Sequence, residues 1–195
     1  MKPLAFAIAA LLALQPQSGG AQAAQAAPSE ALIDRFLAVL PDRAQIEAVE
    51  TEIDPGELKA LVALNPGKEA QISSILRANL ACTGPAVSAG TLRMLRTIAR
   101  ELGEEKLKRL VGFYEGPDYA AFAALAARME GVAAPSAEDS AAMAKLMGAY
   151  PLQAFHQQLS RAEEIFAADQ GFMAAAMKCA SEQVEALTKA GLKAN

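Results

Sequence analysis

The residues that could do chemistry are few and far apart. Cys82 (ANLACTGPA) and Cys179 (AAMKCASEQ) are the two cysteines, and His156 (QAFHQQL) is the one histidine. In an oxidising compartment an even cysteine pair reads first as a disulfide. Bonding Cys82 to Cys179 would close a loop of 97 residues. The chain-entropy model gives a loop of that size about 4–5 kcal/mol of stabilisation. Two free thiols or a metal pair are the other readings. Zinc would want two more ligands, and one histidine cannot supply them. A redox-active C-x-x-C pair is absent.

His156 would have to serve any Ser-His-Asp arrangement, yet the chain contains no G-x-S-x-G. A di-iron bundle would want Glu-x-x-His, and position 153 is Gln. Glu104-Glu105 and Glu163-Glu164 are adjacent pairs whose side chains point about 100° apart on a helix, so they do not share a site. Ser73, Ser74 and Ser88 have no base at helical spacing, and no glycine-rich phosphate loop follows the N-terminal region. The expectation is a protein that is not an enzyme and holds no cofactor or metal.

The elements that would position these residues read as helices throughout. Alanine is abundant, β-branched residues are sparse, and no stretch alternates apolar and polar as a half-buried strand does. Ser29 is placed to cap a first helix with the stripe Leu32, Ile33, Phe36, Leu37 and Leu40. Ile46, Val49 and Ile53 make a second stripe, and Leu58, Leu61 and Val62 a third. Ile72, Ile75, Leu76 and Leu80 predict a fourth helix ending near Cys82-Thr-Gly-Pro85. Leu92, Leu95, Ile98, Ala99 and Leu102 predict a fifth, with Gly103 as its C′ residue. Leu107, Leu110, Val111 and Tyr114 give one face of the next helix. Gly116-Pro117 breaks the chain, and Asp118 is the expected cap of a helix striped by Tyr119, Phe122, Leu125, Ala126 and Met129. After a loop from Gly131 to Glu138, a short helix carries Met143, Leu146, Met147 and Tyr150. A long last stretch runs Leu152, Phe155, Leu159, Ala162, Phe166, Met173, Met177, Ala180, Val184 and Leu187, with Gly171 placed to bend or split it. The fold class is therefore all-α: a compact bundle of short amphipathic helices and helical hairpins with a long C-terminal helix or helix pair.

The N-terminus sets the compartment. Lys2 precedes eleven uninterrupted apolar residues, Leu4 to Leu14, then Pro16, Gly19-Gly20 and the A-x-A sequence Ala21-Gln22-Ala23. That is the layout of a bacterial secretory signal peptide, and a spanning helix would need about 20 apolar residues. No cysteine follows the run for lipidation and no arginine pair precedes it. Residues 1–23 are expected to be removed, residues 24–29 to form a disordered leader, and residues 30–195 to form a single helical domain in the periplasm of a Gram-negative bacterium. The remaining 172 residues carry 17 basic and 22 acidic side chains, a formal charge of −5 with His neutral. That balance argues against nucleic acid and anionic lipid as partners. No second apolar run is long enough to span a membrane.

Phe113, Tyr114, Tyr119 and Phe122 gather around Gly116-Pro117 and form the leading candidate site, an apolar groove for a partner helix or acyl chain. The competing account makes Tyr114 and Phe122 core anchors, with a tyrosine hydroxyl capping the corner. LKRLVGFYEGPDYAAF (107–122) is also echoed by LMGAYPLQAF (146–155), pairing Leu110 with Leu146, Gly112 with Gly148, Tyr114 with Tyr150, Pro117 with Pro151 and Phe122 with Phe155. LKALVALNPG (58–67) shares its Leu-Lys-x-Leu-Val. Duplication and an Ala/Leu-dominated composition both account for the echo.

GEEKLKRLVGFYEGPDYAAFAALAARM resembles the core of the bacterial exported family called domain of unknown function 2059. The matching positions are Glu105, Leu107, Leu110, Val111, Phe113, Tyr114 and Pro117. Gly116 stands where that family usually has Ser, and Tyr119 near where it usually has Gly. The resemblance covers about residues 88–130. It implies an all-helical periplasmic domain and carries no catalytic residue over to this chain. The functional expectation is an exported interaction module that binds an envelope protein, or else a carrier of a small lipid or apolar molecule inside the bundle. Methionines Met143, Met147, Met173 and Met177 suit an adaptable apolar pocket and ordinary core filling equally.

Overall fold

The computed structural model describes residues 26–48, 52–130 and 134–193. The expected signal segment, the first two leader residues, Val49 and the start of the loop after Glu130 lie outside the described residues. The fold is all-α. Among the described residues there are ten helices and no strand. They are α1 (Glu30–Val39), α2 (Arg43–Glu47), α3 (Pro55–Leu64), α4 (Glu69–Leu102), α5 (Glu104–Glu115), α6 (Pro117–Met129), α7 (Ala137–Ala149), α8 (Leu152–Leu159), α9 (Ala162–Ala168) and α10 (Gln170–Lys189).

These helices group into two compact units. Among the described residues, one unit is drawn from 26–39 and 99–157, the other from 40–98 and 158–193. In the first, α1 packs on α5, α5 on α6 and α6 on α7. Its core holds Ile33, Phe36, Leu37, Leu102, Leu107, Leu110, Val111, Phe113, Leu125, Leu152 and Phe155. Arg35 and Glu115 join α1 to α5 at the surface, with Nη2 to Oε2 at 2.6 Å. Residues 26–29, from the expected leader, meet the start of α5. The Ala26 carbonyl accepts from Glu104 N–H at 3.1 Å, meeting one of the orphan donors at the start of α5, and Pro28 is buried. Ser29 caps α1 as expected, its Oγ accepting from Leu32 N–H at 3.3 Å.

In the second unit Ile72, Leu76, Leu187 and Leu192 form a core cluster, with Ile53, Leu58, Leu61 and Val62 against it. Asn65 is 8% exposed and ties the end of the chain down. Its Nδ2 donates to the Leu61 and Lys193 carbonyls, both at 2.9 Å, and its Oδ1 accepts from Lys193 N–H at 2.8 Å. Burying an amide is favourable here because both of its ends are hydrogen-bonded.

The fourth and fifth predicted helices are one. Helix α4 runs through Pro85 without ending. A proline inside a helix removes a hydrogen bond and costs about 3 kcal/mol or more. Buried Ile72 and Leu76 before it and Leu95 and Ile98 after it hold the helix on both sides, which offsets that cost. Conversely, the long last stretch is three helices. Its breaks fall at Ser160-Arg161 and at Asp169, which caps α10, and Gly171 lies inside α10. Gly103 follows α4 as expected and has φ 78°, a backbone that favours glycine, but its ψ of 163° is not that of a C′ cap, and it serves as the N-cap of α5.

Candidate functional site

The aromatic corner is closed. Phe113 is 1% exposed. Its ring lies 5.2 Å from Tyr114, 5.8 Å from Tyr119, 5.6 Å from Phe122 and 4.8 Å from Tyr150, by centroids. Phe36 adds a T-shaped contact with Phe155 at 5.6 Å. Helix α5 buries Leu107, Leu110, Val111 and Phe113, so its core face is centred nearer Phe113 than the Tyr114 stripe implied. Phe113 is therefore no groove residue. It is the hub on which half-buried Tyr114, Tyr119 and Phe122 rest.

The corner is locked by polar contacts that the sequence did not reveal. Gly116, not Asp118, is the N-cap of α6, and Pro117 opens the helix. Asp118 instead accepts a hydrogen bond from the Tyr150 hydroxyl at 2.5 Å. That bond raises the Tyr150 pKa above the usual phenol value, with burial and the Asp118 charge adding to it. Arg109 donates from Nη2 to the Ala149 carbonyl at 2.5 Å. A Cβ at Gly116 would meet the Gly112 carbonyl at 2.7 Å, so this corner needs a glycine.

Cys82 and Cys179 are joined by a disulfide, with Cα atoms 5.7 Å apart. The bond ties α10 to α4 within the second unit and sets which way α10 faces. Its buried residues are Cys179 and Leu187, with Phe172, Ala175, Ala176 and Ala186 half-buried. The stripe assigned to the core, Met173, Met177, Ala180 and Val184, points outward. Met173 is 41% exposed, Met177 69% and Val184 59%. The stripe was extrapolated from Phe166 across the break at Asp169, and the helix restarts there in a different phase. The four stripe residues are uncharged, and exposed Glu185 and Lys178 stand further round the same outward side of the helix.

The same unit holds a cavity of about 390 Å³. Gly90, Arg93, Met94 and Thr97 line it from α4, one face at i, i+3, i+4 and i+7; Arg161, Glu164, Ile165, Phe166, Ala168 and Asp169 line it from the region of α9. Met94 is buried, and the Phe166 and Phe172 rings stack edge-on at 5.0 Å beside Gly90. Asp169 accepts from Arg93 Nε at 2.7 Å and from Phe172 N–H at 2.9 Å. Those two donors, the guanidinium first, hold its carboxyl below the ordinary range. Arg161 donates to Glu164 at 3.3 Å and to Gln158 at 3.0 Å.

The other sequence candidates remain apart. Glu104 and Glu105 open α5 and both face Lys108, at 2.7 and 3.5 Å. Glu163 and Glu164 open α9. His156 lies half-buried on α8, and Ser73, Ser74 and Ser88 all lie on α4. Among the described residues no group of three or more His, Cys, Asp or Glu side chains is arranged to hold a metal, and no helix is long and apolar enough to cross a membrane. No protein-family model, curated protein or solved structure matches the chain.

Proposed function

We propose that the chain is an exported, non-enzymatic helical protein of a Gram-negative periplasm that engages an envelope protein through the outward face of α10. The observation that carries the reading is the uncharged stripe of Met173, Met177, Ala180 and Val184 on a helix held by the Cys82–Cys179 bond. Unbranched methionine adapts to varied partner surfaces. The disulfide keeps the stripe presented, so little ordering entropy remains to be lost on binding. The signal-like N-terminus, the disulfide and the likeness of residues 88–130 to the exported family domain of unknown function 2059 support the compartment. A photo-crosslinker at Met177 or Val184, installed in cells, is expected to trap a discrete protein adduct, whereas the same group at exposed Lys59 on α3 is not. Equal labelling from all three positions would defeat the reading.

A second reading is carriage of a small apolar molecule, favoured by the cavity beside Met94, Ile165 and Phe166. Native mass spectrometry of protein taken from periplasm separates the two. A small adduct lost on denaturation supports carriage, and a bare chain counts against it.

A further inference from the structure

We infer that the cavity between α4 and α9 takes a compact apolar monocarboxylate, with the carboxylate on the outer edge of Arg93 and the apolar body against Met94, Ile165 and Phe166. The inference rests on the carrier reading of that cavity. A guanidinium offers two edges to an acceptor. Arg93 spends its Nε on Asp169 at 2.7 Å. Its two Nη groups have no hydrogen-bond acceptor among the described residues, and Arg93 is one of the residues that line the cavity. That edge is the one suited to two parallel hydrogen bonds from a single carboxylate.

Charge selects the headgroup. Of the two acids lining the cavity, Asp169 is committed to Arg93 and to the first turn of α10, and the Glu164 side chain is 71% exposed, reaching towards water. A guest ammonium would have to compete with Arg93 for Asp169. A guest carboxylate meets Arg93 from its open side, with Arg161 also on the lining. Size limits the body. At roughly 30 Å³ per heavy atom of liquid-like packing, the cavity takes about thirteen heavy atoms. A chain of about ten carbons ending in a carboxylate matches that volume.

The test is isothermal titration of the disulfide-bonded mature chain with decanoate, decanol and decylammonium. Decanoate is expected to bind about tenfold more tightly than decanol, and decylammonium more weakly than both. Arg93→Met should erase the preference, bringing the ratio of decanoate to decanol affinity to about one. Ala168→Phe, at an exposed lining position, should block both ligands, with thermal melts showing that each variant is folded. Equal binding of decanoate and decanol, unmoved by Arg93→Met, would overturn the carboxylate inference and leave carriage standing. No binding of any of the three removes both. Binding unaffected by Ala168→Phe places the guest elsewhere and overturns the site.

Discussion

The corner around Phe113 and the outward stripe of α10 are made from similar material, large apolar side chains at helical spacing, yet one is buried and the other is wet. At the corner α5, α6 and α7 pack in succession, and four rings close on Phe113. On α10 the core side is small: alanines, a disulfide and Leu187 do the packing, and the methionines are left outside. The contrast teaches that apolar periodicity names a face but not the direction it points. A second constraint decides direction, and here it is the helix break at Asp169 together with the Cys82–Cys179 bond.

The largest test of the contrast is a matched pair of truncations. Phe113→Ala should cost about 3–5 kcal/mol, because the hub leaves a cavity that its four neighbouring rings cannot all fill. Met177→Ala, exposed on α10, should change stability by less than about 0.5 kcal/mol. Urea denaturation of both variants reads the difference directly. Comparable losses would mean that the two faces are equally buried in solution.

Next comes the bond that orients α10. Removing it with Cys82→Ser and Cys179→Ser together should cost about 2–4 kcal/mol. A reducing agent should lower the melting temperature of the native chain and leave the double variant unmoved. The corner has no covalent support, so its share of the unfolding signal, followed by tyrosine fluorescence, should move less than that of the second unit.

Much of the frame was legible. The all-helical class, the α1 stripe, the Ser29 cap, the break at Gly103 and the cysteine pairing all rest on local rules, and the structure shows each of them. What was not legible depends on tertiary contacts. The Pro85 break failed because buried residues on both sides outweigh a single proline. The groove at Phe113 failed because Tyr150, 37 positions further on, covers the ring. The α10 stripe failed because a seven-residue step from Phe166 to Met173 crosses a capped break; Asp169, three residues before Phe172, was the available signal for it. The cavity had no signature, since i, i+3, i+4, i+7 spacing of Gly90, Arg93, Met94 and Thr97 mixes polar and apolar types.

A smaller effect is expected where the second unit fastens its last residues. Asn65→Ala removes three hydrogen bonds and leaves the Lys193 backbone groups to find water, costing about 1–3 kcal/mol. Hydrogen exchange at Leu192 and Lys193 should accelerate while that of α5 stays unchanged. Faster exchange in α5 as well would show that the two units do not open separately.

The finest distinction between the two regions lies in their response to pH. At the corner, Tyr150 has a raised pKa because its hydroxyl donates to Asp118, and Arg109 only partly opposes this. A raised folded-state value contributes stability below the unfolded phenol pKa of about 10, and that contribution is lost as pH climbs through the folded value. Beside the cavity, Asp169 has a lowered pKa from Arg93 and from Phe172 N–H. A lowered value contributes stability above the unfolded carboxyl pKa of about 4, and the contribution is lost as pH falls through the folded value. Melting temperatures of Tyr150→Phe and Asp169→Asn against the native chain, between about pH 3 and 11, should therefore diverge from it in opposite windows. The phenylalanine variant should start slightly less stable at neutral pH and lack part of the alkaline fall. The asparagine variant should start lower too and flatten part of the acid fall. If Asp169→Asn leaves the acid limb untouched, the Arg93–Asp169 pair is screened in solution, and α10 owes its start to other contacts than that ion pair.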